Sequence, residues 1–209
     1  MKKPFIRRFP ASLPVSLFVL FLIATFSLLS TLPQGGEQEA RVMRVPTLTT
    51  TVWAVFDPQT GEVLRGDNLD TERPIASLTK LFTAYMVLYT DSGAITTTIT
   101  EGDIETHGDF GKLRYGEKRT LSSLLFPLLI ESSNDAGAAI SRTLGPLYPY
   151  AVQGIADMLG LTHTHIVDAT GLSPENVSTP RNLALFFAKV KAHYPHITDI
   201  TKLKLYVTD

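Results

Sequence analysis

Two short stretches hold residue types whose spacing could support covalent chemistry. In Ser77-Leu78-Thr79-Lys80 a hydroxyl and an amine stand three residues apart. On a helix, positions i and i+3 share a face one turn apart, so the two groups can meet without tertiary help. A serine hydroxyl is a weak nucleophile until a nearby base takes its proton. A lysine amine can be that base once burial or a neighbouring cation lowers its pKa. In the first turn of a helix, Ser77 would also lie among unpaired N–H groups at the positive end of the dipole, which favour a developing oxyanion. The second stretch is Ser132-Ser133-Asn134. Its plain reading is a helix cap, since Ser and Asn favour such positions. Its functional reading gives Ser132 the task of passing a proton toward the leaving amine. Asn134 would then hold Lys80 and a substrate carbonyl.

The elements that must position these groups follow from pattern. Thr47–Phe56 is rich in β-branched and aromatic residues, Asp57-Pro58-Gln59-Thr60-Gly61 is a turn sequence, and Glu62–Arg65 completes a β-hairpin. After Pro74, a helix is expected from about Ala76 to Tyr89, with Leu78, Leu81, Phe82, Tyr85 and Leu88 as its apolar stripe. Ser92–Lys118 reads as irregular with short strands. Thr120 caps a helix from Leu121 that Pro127 should kink or divide. Helices follow from about Asp135 to Leu144, Tyr150 to Leu159, and Thr179-Pro180 to Ala192. A lone hairpin cannot bury a face, so further strands are expected. The fold class is α+β, a helical lobe with an incomplete antiparallel sheet.

Composition narrows the function. The chain has 209 residues, 19 Lys+Arg against 20 Asp+Glu, and a net charge of −1. A nucleic-acid surface needs a marked basic excess, so nucleic acid is not the expected partner. There are no cysteines, which excludes disulfides and thiolate chemistry. Residues 1–12 are basic. The run Leu13–Leu32 is uncharged and just reaches the roughly 20 apolar residues that span a bilayer. No clean cleavage site follows, so an uncleaved anchor is favoured over a cleaved signal. The basic flank keeps the N-terminus cytoplasmic and the rest outside. Residues 33–46 read as a polar linker, and 47–209 as the domain.

Arg73–Tyr85, Arg114-Tyr115-Gly116-Glu117 with Glu131–Ala136, Asp168-Ala169-Thr170-Gly171-Leu172 and Ser178–Ala184 resemble, in order, segments of the low-molecular-mass penicillin-binding D-Ala-D-Ala carboxypeptidases. The likeness covers about residues 50–195. It implies the serine β-lactamase/penicillin-binding transpeptidase-like fold. It also implies that Ser77 is acylated, with Lys80 as general base and Ser132 and Asn134 completing the relay. The substrate would be the D-alanine end of peptidoglycan stem peptides, with β-lactams as acylating inhibitors and no metal or organic cofactor. Ser133 stands where the family commonly has glycine, with its side chain expected to point away from the site. No Lys-Thr-Gly or Lys-Ser-Gly follows Asn134. In the family that motif lies on a strand forming one cleft wall, so the chain by itself is expected to be a very poor acyl-transfer enzyme. Alternatives are a D,D-endopeptidase, a β-lactamase (which needs a water-activating carboxylate by the acyl-ester), or an inactive wall-binding remnant.

Other candidates are bland. His163 and His165 could share a strand face and bind metal, but no carboxylate partner is evident. His107, His193 and His196 read as surface residues. Asp103, Glu105 and Asp109 read as a solvated acidic loop.

Overall fold

In the computed structural model, residues 51–105 and 113–204 are described. The expected anchor, the linker, His107 and Asp109 lie outside them. Strands β1 (Trp53–Phe56) and β2 (Val63–Asp67) form the expected antiparallel hairpin. Asp57 organises its turn: the carboxylate accepts from Gln59 N–H at 2.7 Å and the carbonyl from Gly61 N–H at 2.8 Å. Gly61 has φ 77°, and a Cβ there would press on the Leu185 backbone at 3.0 Å. The hairpin thus sits directly on the late helix that carries Leu185.

The chain then passes through the two-residue strand β3 (Arg73–Pro74) and a 3₁₀ turn, Ala76–Leu78, into α1 (Thr79–Tyr89). β4 (Thr96–Thr98), α2 (Glu101–Ile104) and β5 (Lys118–Thr120) follow, with β4 and β5 antiparallel. Next come α3 (Leu121–Ile130), α4 (Asn134–Leu144) and α5 (Tyr148–Met158). Strand β6 (Val177–Ser178) returns to pair with β3, and α6 (Pro180–His193) and α7 (Pro195–Ile200) close the described chain. Among the described residues the sheet content is three two-stranded antiparallel pieces. Among the described residues, Thr120, Ser133 and Thr179 cap helices by accepting from the N–H groups of Ser123, Ala136 and Asn182, and α2 opens on a capping box between Thr100 and Asp103. Each such cap is worth about 1 kcal/mol.

Helix α1 is the centre of the packing. Eight of its eleven residues, including Lys80, Phe82, Thr83, Ala84, Tyr85 and Val87, are buried. An apolar stripe of the expected width would cover one face only; instead α3, α4, α5 and α7 all pack around it. Phe82 stacks on Phe186 of α6 with ring centroids 3.8 Å apart, and Tyr194 meets Tyr85 edge-on at 4.8 Å.

Three expectations are corrected. Leu78 is not core: it is 48% exposed, because it lies in the 3₁₀ turn ahead of α1. Pro127 does not divide α3, which runs through it. Its ring is buried beside Leu124, Leu125 and Leu128, and its carbonyl accepts both Glu131 N–H and Ser133 N–H. Burial of the ring offsets part of the roughly 3 kcal/mol that an interior proline costs. Asp103 is not solvated: it is 2% exposed and paired with Arg142.

Phe186→Ala is expected to lower stability by about 3–5 kcal/mol, because the residue is 1% exposed and stacked on Phe82. Urea unfolding monitored by circular dichroism measures it; a loss below about 1 kcal/mol would show that the stack is dispensable.

Candidate active site

The backbone bends sharply just before Ser77. Ala76 has φ 46°, a left-handed conformation that costs a residue with a Cβ roughly 1–2 kcal/mol. The bend is held by a close backbone approach: a Cβ at Gly171 (φ 86°) would lie 1.9 Å from the Ala76 carbonyl oxygen. No side chain fits at 171. On the other flank Ile75 N–H donates to the Asn176 carbonyl at 2.9 Å, continuing the β3–β6 pairing. Ser77 therefore stands exposed in the 3₁₀ turn rather than in the first α-helical turn.

Lys80 lies one turn on, 3% exposed. Its Nζ is 3.3 Å from Ser77 Oγ, 2.8 Å from Asn134 Oδ1 and 2.6 Å from the Thr170 carbonyl oxygen. Burial lowers its pKa to about 8, against a partial pull upward from the Asp168 carboxylate. About a tenth of the amine is then neutral at pH 7, against well under a thousandth for an ordinary lysine. A neutral primary amine has two N–H donors and one lone pair. Two carbonyl oxygens can take the donors, which leaves the lone pair for the Ser77 hydroxyl.

Asn134 reaches this point because Ser133 caps α4. Ser133 is fully buried, and its Oγ accepts from Ala136 N–H at 3.0 Å. The cap of the plain reading is thus present on Ser133, and the next residue, Asn134, makes the contact to Lys80. Ser132 has φ 58° and takes no hydrogen-bond partner among the described residues. The structure brings together Ser77, Lys80 and Asn134, with Ser132 two residues before Asn134 on the same bend.

Sequence reasoning marked Asp168–Leu172 as a family-like stretch but gave it no part in the site, whose third side it forms. It supplies Thr170 O to Lys80 and Ala169 O to Thr83 Oγ1, the latter at 2.8 Å. Asp168 accepts from the N–H groups of Thr170, Gly171 and Ser173 and from the Asn176 amide. Burial alone would raise its pKa, but these donors, Ser173 first, hold it below the ordinary carboxylate value. The available signal was an Asp-x-Thr-Gly turn sequence.

A second polar group supports α4 from behind. Arg142 donates to Asp103 Oδ1 and Oδ2 at 2.9 and 2.8 Å and to the Thr98 carbonyl at 2.9 Å. Asp135, next to Asn134, is 8% exposed, and its Oδ1 lacks a partner among the described residues. Burial, with the Asp103 charge adding to it, pushes its carboxyl up to about 6. Beside Ser77 an apolar groove of about 320 Å³ is lined by Trp53, Phe56, Ala76, Leu78, Pro180 and Leu183. His163 lies 3.1 Å from Glu72 on the surface, and His165 bridges Val177 through its backbone. His193 and His196 are exposed, and His193 Nδ1 meets the Tyr85 hydroxyl at 2.7 Å. No metal-binding cluster occurs among the described residues.

The family model for D-alanyl-D-alanine carboxypeptidases matches residues 39–209. The chain belongs to that family. A D-alanyl-D-alanine endopeptidase of Pseudomonas aeruginosa is 34% identical over 182 residues, 81% of this chain and 54% of the relative. An endopeptidase of Escherichia coli is 28% identical, covering 87% of this chain and 61% of the relative. A carboxypeptidase of Escherichia coli is 29% identical, over 69% of this chain and 40% of its own length. The chain thus spans about half the length of these relatives. Among solved structures, a D-alanyl-D-alanine carboxypeptidase from Mycobacterium tuberculosis matches with a TM-score of 0.73 and 26% identity, covering 81% of this chain and 67% of that one. A penicillin-binding protein from Listeria monocytogenes in an ampicillin-bound form matches with a TM-score of 0.67 and 27% identity, covering 79% and 71%. The fold is the penicillin-binding transpeptidase/β-lactamase-like one expected from the sequence motifs.

Asp135→Asn is expected to stabilise the protein at neutral pH. The folded-state pKa lies above the unfolded value, so the fold loses stability as pH rises through about 6. The variant should gain about 1–3 kcal/mol above pH 7 and nothing below about pH 4. Thermal unfolding at both pH values checks it; an equal gain at both would show that the carboxylate is not strained.

Proposed function

We propose that this chain carries the acylation site of a serine-type D-Ala-D-Ala carboxypeptidase acting on peptidoglycan stem peptides. The observation that carries the reading is a buried Lys80 amine, pKa about 8, within reach of both Ser77 Oγ and Asn134 Oδ1. Neutral Lys80 takes the Ser77 proton as Oγ attacks the carbonyl of the penultimate D-alanine. N–H groups at the start of the turn stabilise the resulting oxyanion. The C–N bond then breaks, and the terminal D-alanine leaves as an amine after receiving a proton through Lys80 and Ser132. Water cleaves the Ser77 ester in a second step. β-Lactams would acylate the same oxygen, as the ampicillin-bound Listeria relative suggests by analogy. We place the domain on the extracytoplasmic face of the membrane, held by Leu13–Leu32.

A second reading, D,D-endopeptidase, is favoured by the names of two relatives. The chemistry is shared and the amine differs: free D-alanine in one case, a cross-linked side chain in the other. Product analysis on pentapeptides and on cross-linked dimers separates the two. The β-lactamase alternative needs a free carboxylate by the ester. Asp168 is the carboxylate that acts on Lys80, and both its oxygens are filled by loop donors, which counts against it.

In the full-length protein, fluorescent penicillin should label Ser77, and Ser77→Ala should abolish the label. Lys80→Arg keeps the charge but cannot deprotonate, so acylation should fall by at least about 100-fold. In the parental protein the rate should rise with pH and level off above about 8, as the amine becomes neutral. Undiminished labelling of Ser77→Ala, or parental rates in Lys80→Arg, would end this assignment.

A further inference from the structure

Residues 167–176 are closed from the inside by two side chains. Asp168 Oδ1 accepts from Thr170 N–H and Gly171 N–H, each at 2.6 Å, and from Thr170 Oγ1 at 2.9 Å. Its Oδ2 accepts from Ser173 N–H at 2.8 Å and Asn176 Nδ2 at 2.7 Å. Asn176 is fully buried. Its Oδ1 accepts from Val167 N–H at 2.9 Å and Asp168 N–H at 3.2 Å, and its Nδ2 also donates to the Ser173 carbonyl at 3.0 Å. The pair therefore uses its donors and acceptors on the loop itself and on each other.

What the loop presents to α1 and to the turn before Ser77 is backbone. Thr170 O meets Lys80 Nζ at 2.6 Å, Ala169 O meets Thr83 Oγ1 at 2.8 Å, and Asn176 O meets Ile75 N–H at 2.9 Å. Gly171 packs on the Ala76 carbonyl. Lys80 and Thr83 are one turn apart on α1, so the helix grips two successive carbonyls. The same loop holds the backbone on the N-terminal side of Ser77.

We propose that Asp168 and Asn176 are positioning residues for acylation, fixing the Thr170 carbonyl as an acceptor for Lys80 so that the amine lone pair faces Ser77. The inference rests on the reading of Ser77 as nucleophile and Lys80 as base. An ammonium or amine on a lysine stem rotates freely. One acceptor leaves it free to turn, whereas Asn134 Oδ1 and Thr170 O together define the remaining direction. Asp168 also acts on Lys80 through space, its charge favouring the protonated amine. The pair thus has two separable effects, on aim and on proton affinity. A merely structural prop would have neither.

Asp168→Asn keeps size and removes charge. Its Nδ2 would face the Ser173 and Asn176 donors, so these two lose their acceptor while Oδ1 still accepts from Thr170 and Gly171. Thr170→Val keeps shape and charge, and removes one donor to Asp168 and the acceptor of Leu172 N–H. The full-length protein and both variants are acylated with fluorescent penicillin across neutrality, with rates expressed per labelled site. For Asp168→Asn the high-pH rate should fall about 10- to 100-fold, the scale of a small misplacement, and the acid limb should move to lower pH. For Thr170→Val the high-pH rate should fall about 3-fold with the limb unmoved. If parental Ser77 takes no label, the reading of the site fails and this inference falls with it. If the parent is labelled and both variants keep its rate per site and its pH limb, the inference alone is overturned. A loss confined to the number of active sites also overturns it. Should Asp168→Asn fail to fold, Thr170→Val decides: a parental rate per site rejects the proposal and a reduced one supports it.

Discussion

A lysine amine taken out of water is the constraint around which this protein is arranged. Burying an ammonium is costly unless its donors are met, and Lys80 is met on three sides, by Ser77, Asn134 and Thr170. The same three contacts suit the neutral amine, so the site tolerates both protonation states without moving. That tolerance is what a proton shuttle requires. It also accounts for the placement of α1: the helix is buried nearly all round because other helices must exclude water from a charge at its first turn.

Two lines of support converge on that point from opposite directions. From one side, the Ser133 cap and the Arg142–Asp103 clamp fix α4 at its start and near its end, and Asn134 follows. From the other, the loop around Asp168 delivers a carbonyl. The first support uses side chains throughout. The second hides its side chains and works through backbone oxygens. Each is strained or costly somewhere: Asp135 carries a desolvated carboxyl beside Asn134, and Ala76 sits at positive φ beside Ser77. Both costs fall next to a residue that contacts Lys80, and strain tends to cluster at functional sites.

Much of the local structure was legible in the chain. The Ser77–Lys80 spacing, the hairpin turn at Asp57–Gly61 and the caps at Thr120 and Thr179 are short-range features, and short-range features carry their own signal. The stretch at Ser132–Asn134 was readable in two ways because cap and relay use the same residue types; in the fold Ser133 caps the helix and Asn134 meets Lys80. What could not be read depends on distant partners. Asp103 looks like a surface acid until Arg142 is brought to it from 39 residues away. Leu78 fits a helical stripe until the helix is seen to start one residue later. The short helix after Tyr194-Pro195 was missed because that dipeptide reads as an ending. Thr170 offers only its carbonyl, which no residue type announces.

The two bonds that hold Lys80 in place span 54 and 90 residues of chain. Contacts of such sequence separation close late, since loop entropy must be overcome before they form. While the polypeptide is still unfolded its lysines keep their ordinary affinity for protons, and Ser77 stands beside an inert cation. The lowered proton affinity of Lys80 therefore arrives with the completed fold and not before. On the proposed reading, a nascent or misfolded copy carries Ser77 without a base to activate it, so the hydroxyl takes up no acyl group before the cleft exists.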